Sequence, residues 1–153
     1  HTNLCNYASV SNLLDASRDY IDVRLQGTAV SSGGGFGLPG DYSSPSRFVR
    51  MAVLKHYAIK GKDEIDGITR MFHQFSTVNI PEGIVMRQED KDKEEVTYDQ
   101  TLCISAMCAE SGTYYFSTCK SRRINAVRLA GMENKQDIGY FELPQREDIA
   151  YLN

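Results

Sequence analysis

The residues most able to do chemistry cluster between Gly35 and Arg50. Asp41-Tyr42-Ser43-Ser44-Pro45 supplies capping hydroxyls and a proline suited to a first helical position. A helix is therefore expected to begin at about Pro45 and run towards Ile59. Arg47 then falls near its third position, where unpaired backbone N–H groups already make a partial positive charge. An exposed cation there costs ~0.3–1 kcal/mol. Local rules are broken most often where function demands it, so a functional guanidinium is one reading of Arg47. An arginine paired with Asp41 across the cap is the other. Arg50, one turn on, breaks no rule and reads as a surface or packing arginine.

Other motifs carry less. Gly35-Phe36-Gly37-Leu38-Pro39-Gly40 spells GxGxxG, but a dinucleotide site needs a strand running into the first glycine and a second parallel strand after the helix. Neither pattern is present, and Pro39 sits where helical backbone would open, so the stretch reads as a long shaped loop. The cysteines Cys5, Cys103, Cys108 and Cys119 form no CxxC pair and are too sparse for a disulfide scaffold; free thiols are expected. Cys103 and Cys108 lie an odd number of positions apart, which directs them to opposite faces of one strand. No spacing makes a zinc template of them with His56 or His73, and both histidines read as packed or surface residues. Cys5 reads as a small core residue rather than a nucleophile. No metal and no cofactor is expected.

The elements that must position these residues follow from periodicity. Leu4, Tyr7, Val10 and Leu14 recur at helical spacing, so Asn3 to Leu14 reads as a helix. The helix from Pro45 is apolar nearly all round, from Phe48 to Ala58, which suggests burial on most sides. A second helix is expected from Asp63, with Ile65, Ile68, Met71, Phe72 and Phe75 on one face, ending near the Asn79–Gly83 turn. The charge run Glu89–Glu95 reads as a solvated connection. Beyond it, Val96–Ala109, Thr113–Cys119 and Ile124–Leu129 are rich in β-branched and aromatic residues and read as antiparallel strands in a meander. Ile138–Leu143 reads as a fourth strand, and Pro144–Asn153 as an irregular tail. Helices first and strands afterwards imply an α+β fold with an antiparallel sheet covered by helices. Alternate residues of the segment Tyr114–Thr118 are bulky on both faces, as in a sheet buried on both sides, so something outside this chain is expected to cover it.

Composition bounds the function. The 153 residues are 41% apolar and 24% charged, close to the globular average, and their length fits one domain. A formal charge of −3 offers no basic field for a nucleic acid or an anionic membrane. No apolar run approaches the ~20 residues that cross a bilayer. The chain opens on His1 rather than Met, so residue 1 is not expected to be where translation began and the compartment stays open, with free cysteines favouring the cytoplasm.

From Gly37 to Arg50, reading GLPGDYSSPSRFVR, the sequence resembles the choloylglycine hydrolase family of conjugated bile salt hydrolases and penicillin V acylases. Thr2-Asn3-Leu4-Cys5-Asn6-Tyr7 resembles the family's NLxNY helix, and Phe72-His73 its FH pair. Gly112 to Thr118 and Ile124 to Val127 resemble its closing strands. The resemblance implies an N-terminal-nucleophile αββα sandwich, of which residues 1–153 form the C-terminal portion of a single domain.

It further implies hydrolysis of a linear amide bond, in conjugated bile salts or alternatively in penicillin V. The nucleophile is then a first-position cysteine whose own α-amino group manages the proton. That cysteine lies on the missing N-terminal half, so this chain alone should be inactive. The one catalytic position carried over is the arginine of the SRF triplet, Arg47, whose guanidinium would lie beside the thiol and favour the thiolate. The implied partners are the N-terminal half of the same enzyme, a small amide substrate and further copies in a homotetramer. Cys103 and Cys119 replace residues that are often aromatic in the family, and Arg122-Arg123 is more basic than usual. A non-catalytic binding or scaffold module is the reading from another class.

Overall fold

A computed structural model describes residues 4–7, 10, 24–25, 28–29, 34–35, 37–87, 94, 96–132 and 139–152. They divide into two compact units, His1–Ile59 and Lys60–Asn153.

In the first unit a 3₁₀ turn, Leu4–Tyr7, is followed by a short antiparallel ribbon of β1 (Arg24–Leu25) and β2 (Thr28–Ala29). The helix expected over Asn3–Leu14 is thus only one 3₁₀ turn among the described residues. The Val10 N–H still donates to the Tyr7 carbonyl at 3.0 Å, but Val10 itself is in no helix, and Leu14 lies outside the described residues. A periodicity of four apolar residues over three turns is too short to hold an isolated helix without packing. The helix α1, Ser44–His56, begins where the capping pattern placed it. Ser43 is its N-cap and Pro45 lies in its first turn. Its burial is narrower than the sequence suggests. Val49 is buried, Met51 to Leu54 are half-buried, and Phe48 and Tyr57 are exposed.

In the second unit α2, Glu64–Ser76, is capped by Asp63, whose carboxylate accepts the Asp66 N–H at 2.8 Å. A ribbon of β3 (Val85–Met86) and β4 (Tyr98–Asp99) leads to a three-stranded antiparallel meander, β5 (Cys103–Cys108), β6 (Thr113–Thr118) and β7 (Asn125–Arg128). The single strand expected over Val96–Ala109 is therefore two, interrupted at Gln100–Leu102. There the Thr101 N–H and hydroxyl bind the backbone of Ile80 at 3.0 Å instead of a ladder partner. The fourth strand expected at Ile138–Leu143 does not form over Gly139–Leu143, while Ile138 lies outside the described residues. That segment carries Gly139 and ends at Pro144, and its Tyr140 and Phe141 side chains are exposed. The tail beyond it is irregular but tethered: the Arg122 N–H donates to the Glu147 carboxylate, and Arg123 pairs with Asp148.

One face of the meander packs under α2. Ile68, Phe72 and Tyr115 form the core there, with Met71, Ile104, Ala106 and Cys108 against them. The Tyr115 hydroxyl and the Ser111 hydroxyl each donate to Glu64 at 2.6 Å, tying the first turn of α2 to the sheet. The opposite face is open. Register sets Met107 against Tyr114 and Ser105 against Phe116, and Met107 is 78% exposed. Both faces of the sheet carry large side chains, and among the described residues of the second unit none covers this second face.

Candidate active site

The N-terminus of α1 is built by a closed set of short bonds. Its first N–H groups have no helical acceptor and need one from outside the helix. Asp41 and Ser43 supply acceptors. The Ser43 N–H donates to Asp41 Oδ1 at 2.9 Å, the Ser46 hydroxyl donates to Asp41 Oδ2 at 2.5 Å, and Ser43 Oγ accepts the Ser46 N–H at 3.4 Å. These bonds, from Ser43 first and then Ser46, stabilise the charged carboxylate and lower the Asp41 pKa from the usual 3.8 to about 2. The Arg47 N–H donates to the Ser43 carbonyl at 3.0 Å and begins the regular helix, so Arg47 leaves the backbone in the capped first turn. Its side chain is half-buried.

Both oxygens of Asp41 are thus engaged by serines. Of the two readings of Arg50, surface or packing, the structure shows the packed one. It is 8% exposed, and its Nη1 donates to the carbonyls of Pro39 and Asp41, both at 2.7 Å. The sequence did not disclose its bonds to the loop, because its acceptors are main-chain carbonyls. The signal was its spacing: Ser43, Ser46 and Arg50 recur at three and four, which places Arg50 on the face of the cap.

The loop before it is shaped as expected, with Gly35 and Gly37 at φ +75° and +87°. Only glycine adopts such angles without strain. The Leu38 N–H closes a turn on the Gly35 carbonyl at 3.0 Å. Among the other candidates, Cys103, Cys108 and Cys119 are free thiols. Cys103 is exposed while Cys108 is half-buried and donates to Glu110 at 3.3 Å, the alternation that their spacing predicted. Backbone alone is described for Cys5. His56 stands edge-on to Tyr57, and His56 and His73 are both exposed. Among the described residues no group of three or more His, Cys, Asp or Glu side chains could hold a metal, and no helix is long and apolar enough to cross a membrane. The second unit contains a cavity of about 560 Å³, lined by Phe72, Ile104 and Ile124 with Ser117, Thr118 and Arg122.

The sequence pattern of the linear amide C–N hydrolases, choloylglycine hydrolase family, matches residues 1–138, a span that contains the whole α1 site. The chain belongs to the choloylglycine hydrolase family. Among its relatives, a bile salt hydrolase/transferase of Clostridium perfringens is 37% identical over 113 residues, covering 72% of this chain and 31% of the relative. A bile salt hydrolase/transferase of Lactiplantibacillus plantarum is 30% identical over 150 residues, covering 97% of this chain and 44% of the relative. A crystallised mutant of the conjugated bile acid hydrolase from Clostridium perfringens superposes with a TM-score of 0.71 at 27% identity, over 98% of this chain and 44% of that one. Penicillin V acylase from Agrobacterium tumefaciens, 18% identical with a TM-score of 0.50 over 61% of this chain and 28% of that one, shares the fold. The chain spans less than half the length of these choloylglycine hydrolase relatives, and its α+β architecture is theirs.

Proposed function

We propose that residues 1–153 form the C-terminal portion of a single-domain amide hydrolase whose nucleophile, an N-terminal cysteine, is carried on the preceding half of the polypeptide. The observation that carries this reading is the family match across residues 1–138, which includes the SRF triplet at the start of α1. The substrate class is conjugated bile salts: the relatives at 30% and 37% identity are bile salt hydrolases, whereas the acylase likeness is one of fold alone. In this reading the open sheet face bearing Met107, Tyr114 and Phe116 receives the second sheet of an αββα sandwich, and the assembled enzyme is a homotetramer.

The chemistry is an acyl transfer. The thiolate attacks the amide carbonyl carbon, the cysteine's own amine passes the proton to the leaving glycine or taurine nitrogen, and water then cleaves the thioester to release the acid. The role of Arg47 is electrostatic. A fixed guanidinium beside the sulfur favours the thiolate over the thiol and orients the carbonyl that it attacks.

The test is Arg47→Ala in the whole enzyme, assayed by release of glycine and taurine from conjugated bile salts and by hydrolysis of penicillin V. Loss of a preorganised charge of this kind costs ~10²–10³ in kcat, with a melting temperature close to the parent's. Parental kcat and kcat/KM in the variant, or turnover of penicillin V in preference to bile salts in the parent, overturns the corresponding part of the reading.

A further inference from the structure

Arg50 presents three facts that packing alone does not account for. It is a buried cation, and among the described residues no carboxylate pairs with it; its two bonds go to backbone carbonyls. Those carbonyls belong to Pro39 and Asp41, which flank Gly40 in the loop that leads into the helix. Its Nε–H is buried with no acceptor among the described residues. Burying a charge on carbonyl dipoles is costly, and a leucine or methionine would fill the same space at less cost. An orphaned buried donor is costly as well.

The bonds nevertheless make a closed ring. Arg50 Nη1 holds the Asp41 carbonyl, the Asp41 carboxylate holds the Ser43 N–H and the Ser46 hydroxyl, and Ser46 stands one helical turn before Arg50. Arg47 lies inside that ring, three residues from Arg50 and one from Ser46. The loop behind it holds itself only by the turn that the Leu38 N–H closes on the Gly35 carbonyl, so the bonds from Asp41 and Arg50 set the angle at which the chain enters the first turn.

We propose, on the reading of Arg47 given above, that Arg50 is a positioning residue for Arg47. It clamps the Pro39–Asp41 strand of the loop to the second turn of α1, and its Nε–H takes a carbonyl or carboxylate acceptor supplied by the preceding half of the polypeptide. Arg50 touches neither substrate nor sulfur; it sets the angle at which Arg47 reaches the thiol.

The experiment uses the whole enzyme and follows alkylation of the N-terminal cysteine by iodoacetamide against pH, read by mass spectrometry of the N-terminal peptide so that Cys5, Cys103, Cys108 and Cys119 do not interfere. Arg47→Ala should move the alkylation midpoint to higher pH. Arg50→Ala should move it the same way by a smaller amount and lower kcat by up to ~10²-fold with little change in KM, the scale of an ångström's misplacement. Arg50→Lys, which keeps the charge but loses the Nε–H and the planar fork, should fall between Arg50→Ala and the parent. Should Arg50→Ala fail to fold, Arg50→Lys is read alone. A folded Arg50 variant with the parental midpoint and kcat overturns the proposal while leaving the role of Arg47 intact. A parental midpoint in Arg47→Ala overturns the underlying reading instead.

Discussion

Replacing Phe72 by alanine tests what holds α2 to its sheet. Phe72 is 7% exposed and stands with Ile68 against Tyr115, in contact with the half-buried ring of Met71, Ile104, Ala106 and Cys108. Truncating a buried phenylalanine costs ~3–5 kcal/mol, part of it for lost burial and part for the void left behind. Phe72 also borders the cavity of about 560 Å³, so the vacated space opens into an existing recess instead of sealing a new hole. The void contribution shrinks, and the penalty should lie near ~3 kcal/mol. Ile65 on the same helix is 63% exposed and serves as the control; Ile65→Ala should change stability by no more than ~0.5 kcal/mol. Urea unfolding of the purified protein, followed by far-UV circular dichroism and tyrosine fluorescence, gives both values. Equal midpoints for the two variants would refute the claim that this cluster anchors the helix.

Two further outcomes follow from the second unit and from the cap. A Cβ added at Gly61 would drive into the backbone N and Cα of Gly67 and sit 3.0 Å from the Asp63 carbonyl, so Gly61→Ala should destabilise by ~1–3 kcal/mol. Gly67→Ala meets nothing within 4 Å and should stabilise by up to ~1 kcal/mol through helix propensity; opposite signs in urea midpoints support the geometry, and like signs contradict it. The Asp41 carboxyl, held at about 2, binds its proton less readily in the folded chain than in the unfolded one. Its contribution to stability is full above the unfolded value of 3.8 and disappears as pH falls through the folded one. Glu64, lowered by its bonds from Ser111 and then Tyr115, acts in the same direction. Asp41→Asn should therefore flatten the acid-unfolding curve between about pH 4 and pH 2, and an unchanged slope in that window would count against the cap.

Local signals were legible in the sequence where a single residue type decides the backbone. Ser43 with Pro45, and Asp63, marked the starts of both helices to within a residue, because caps act over three positions and owe little to the rest of the fold. The strands β6 and β7 were equally plain from their β-branched and aromatic content. What escaped depended on partners distant in sequence. Thr101 ends the ladder of β4 only because Ile80, twenty-one residues earlier, takes its bonds. Tyr140 and Phe141 look like strand residues but are exposed, and among the described residues no strand pairs with them. Arg50 was passed over because its acceptors are main-chain carbonyls, which carry no letter in the sequence. For Arg47 the residues left two readings open, and the family motif weighed for function.

The pairing of β5 with β6, from Cys103 opposite Thr118 to Cys108 opposite Thr113, separates two surfaces of opposite character by a single position. Because side chains alternate, a shift of one residue would carry Met107, Ser105 and Cys103 beneath α2 and turn Cys108, Ala106 and Ile104 outward. The four residues Ala109–Gly112, closing with Gly112 at φ +58°, are thus a spacer whose length decides which side of the ribbon is inner. Adding or deleting one amino acid there would invert the strand, so this connection tolerates changes of letter far better than changes of count.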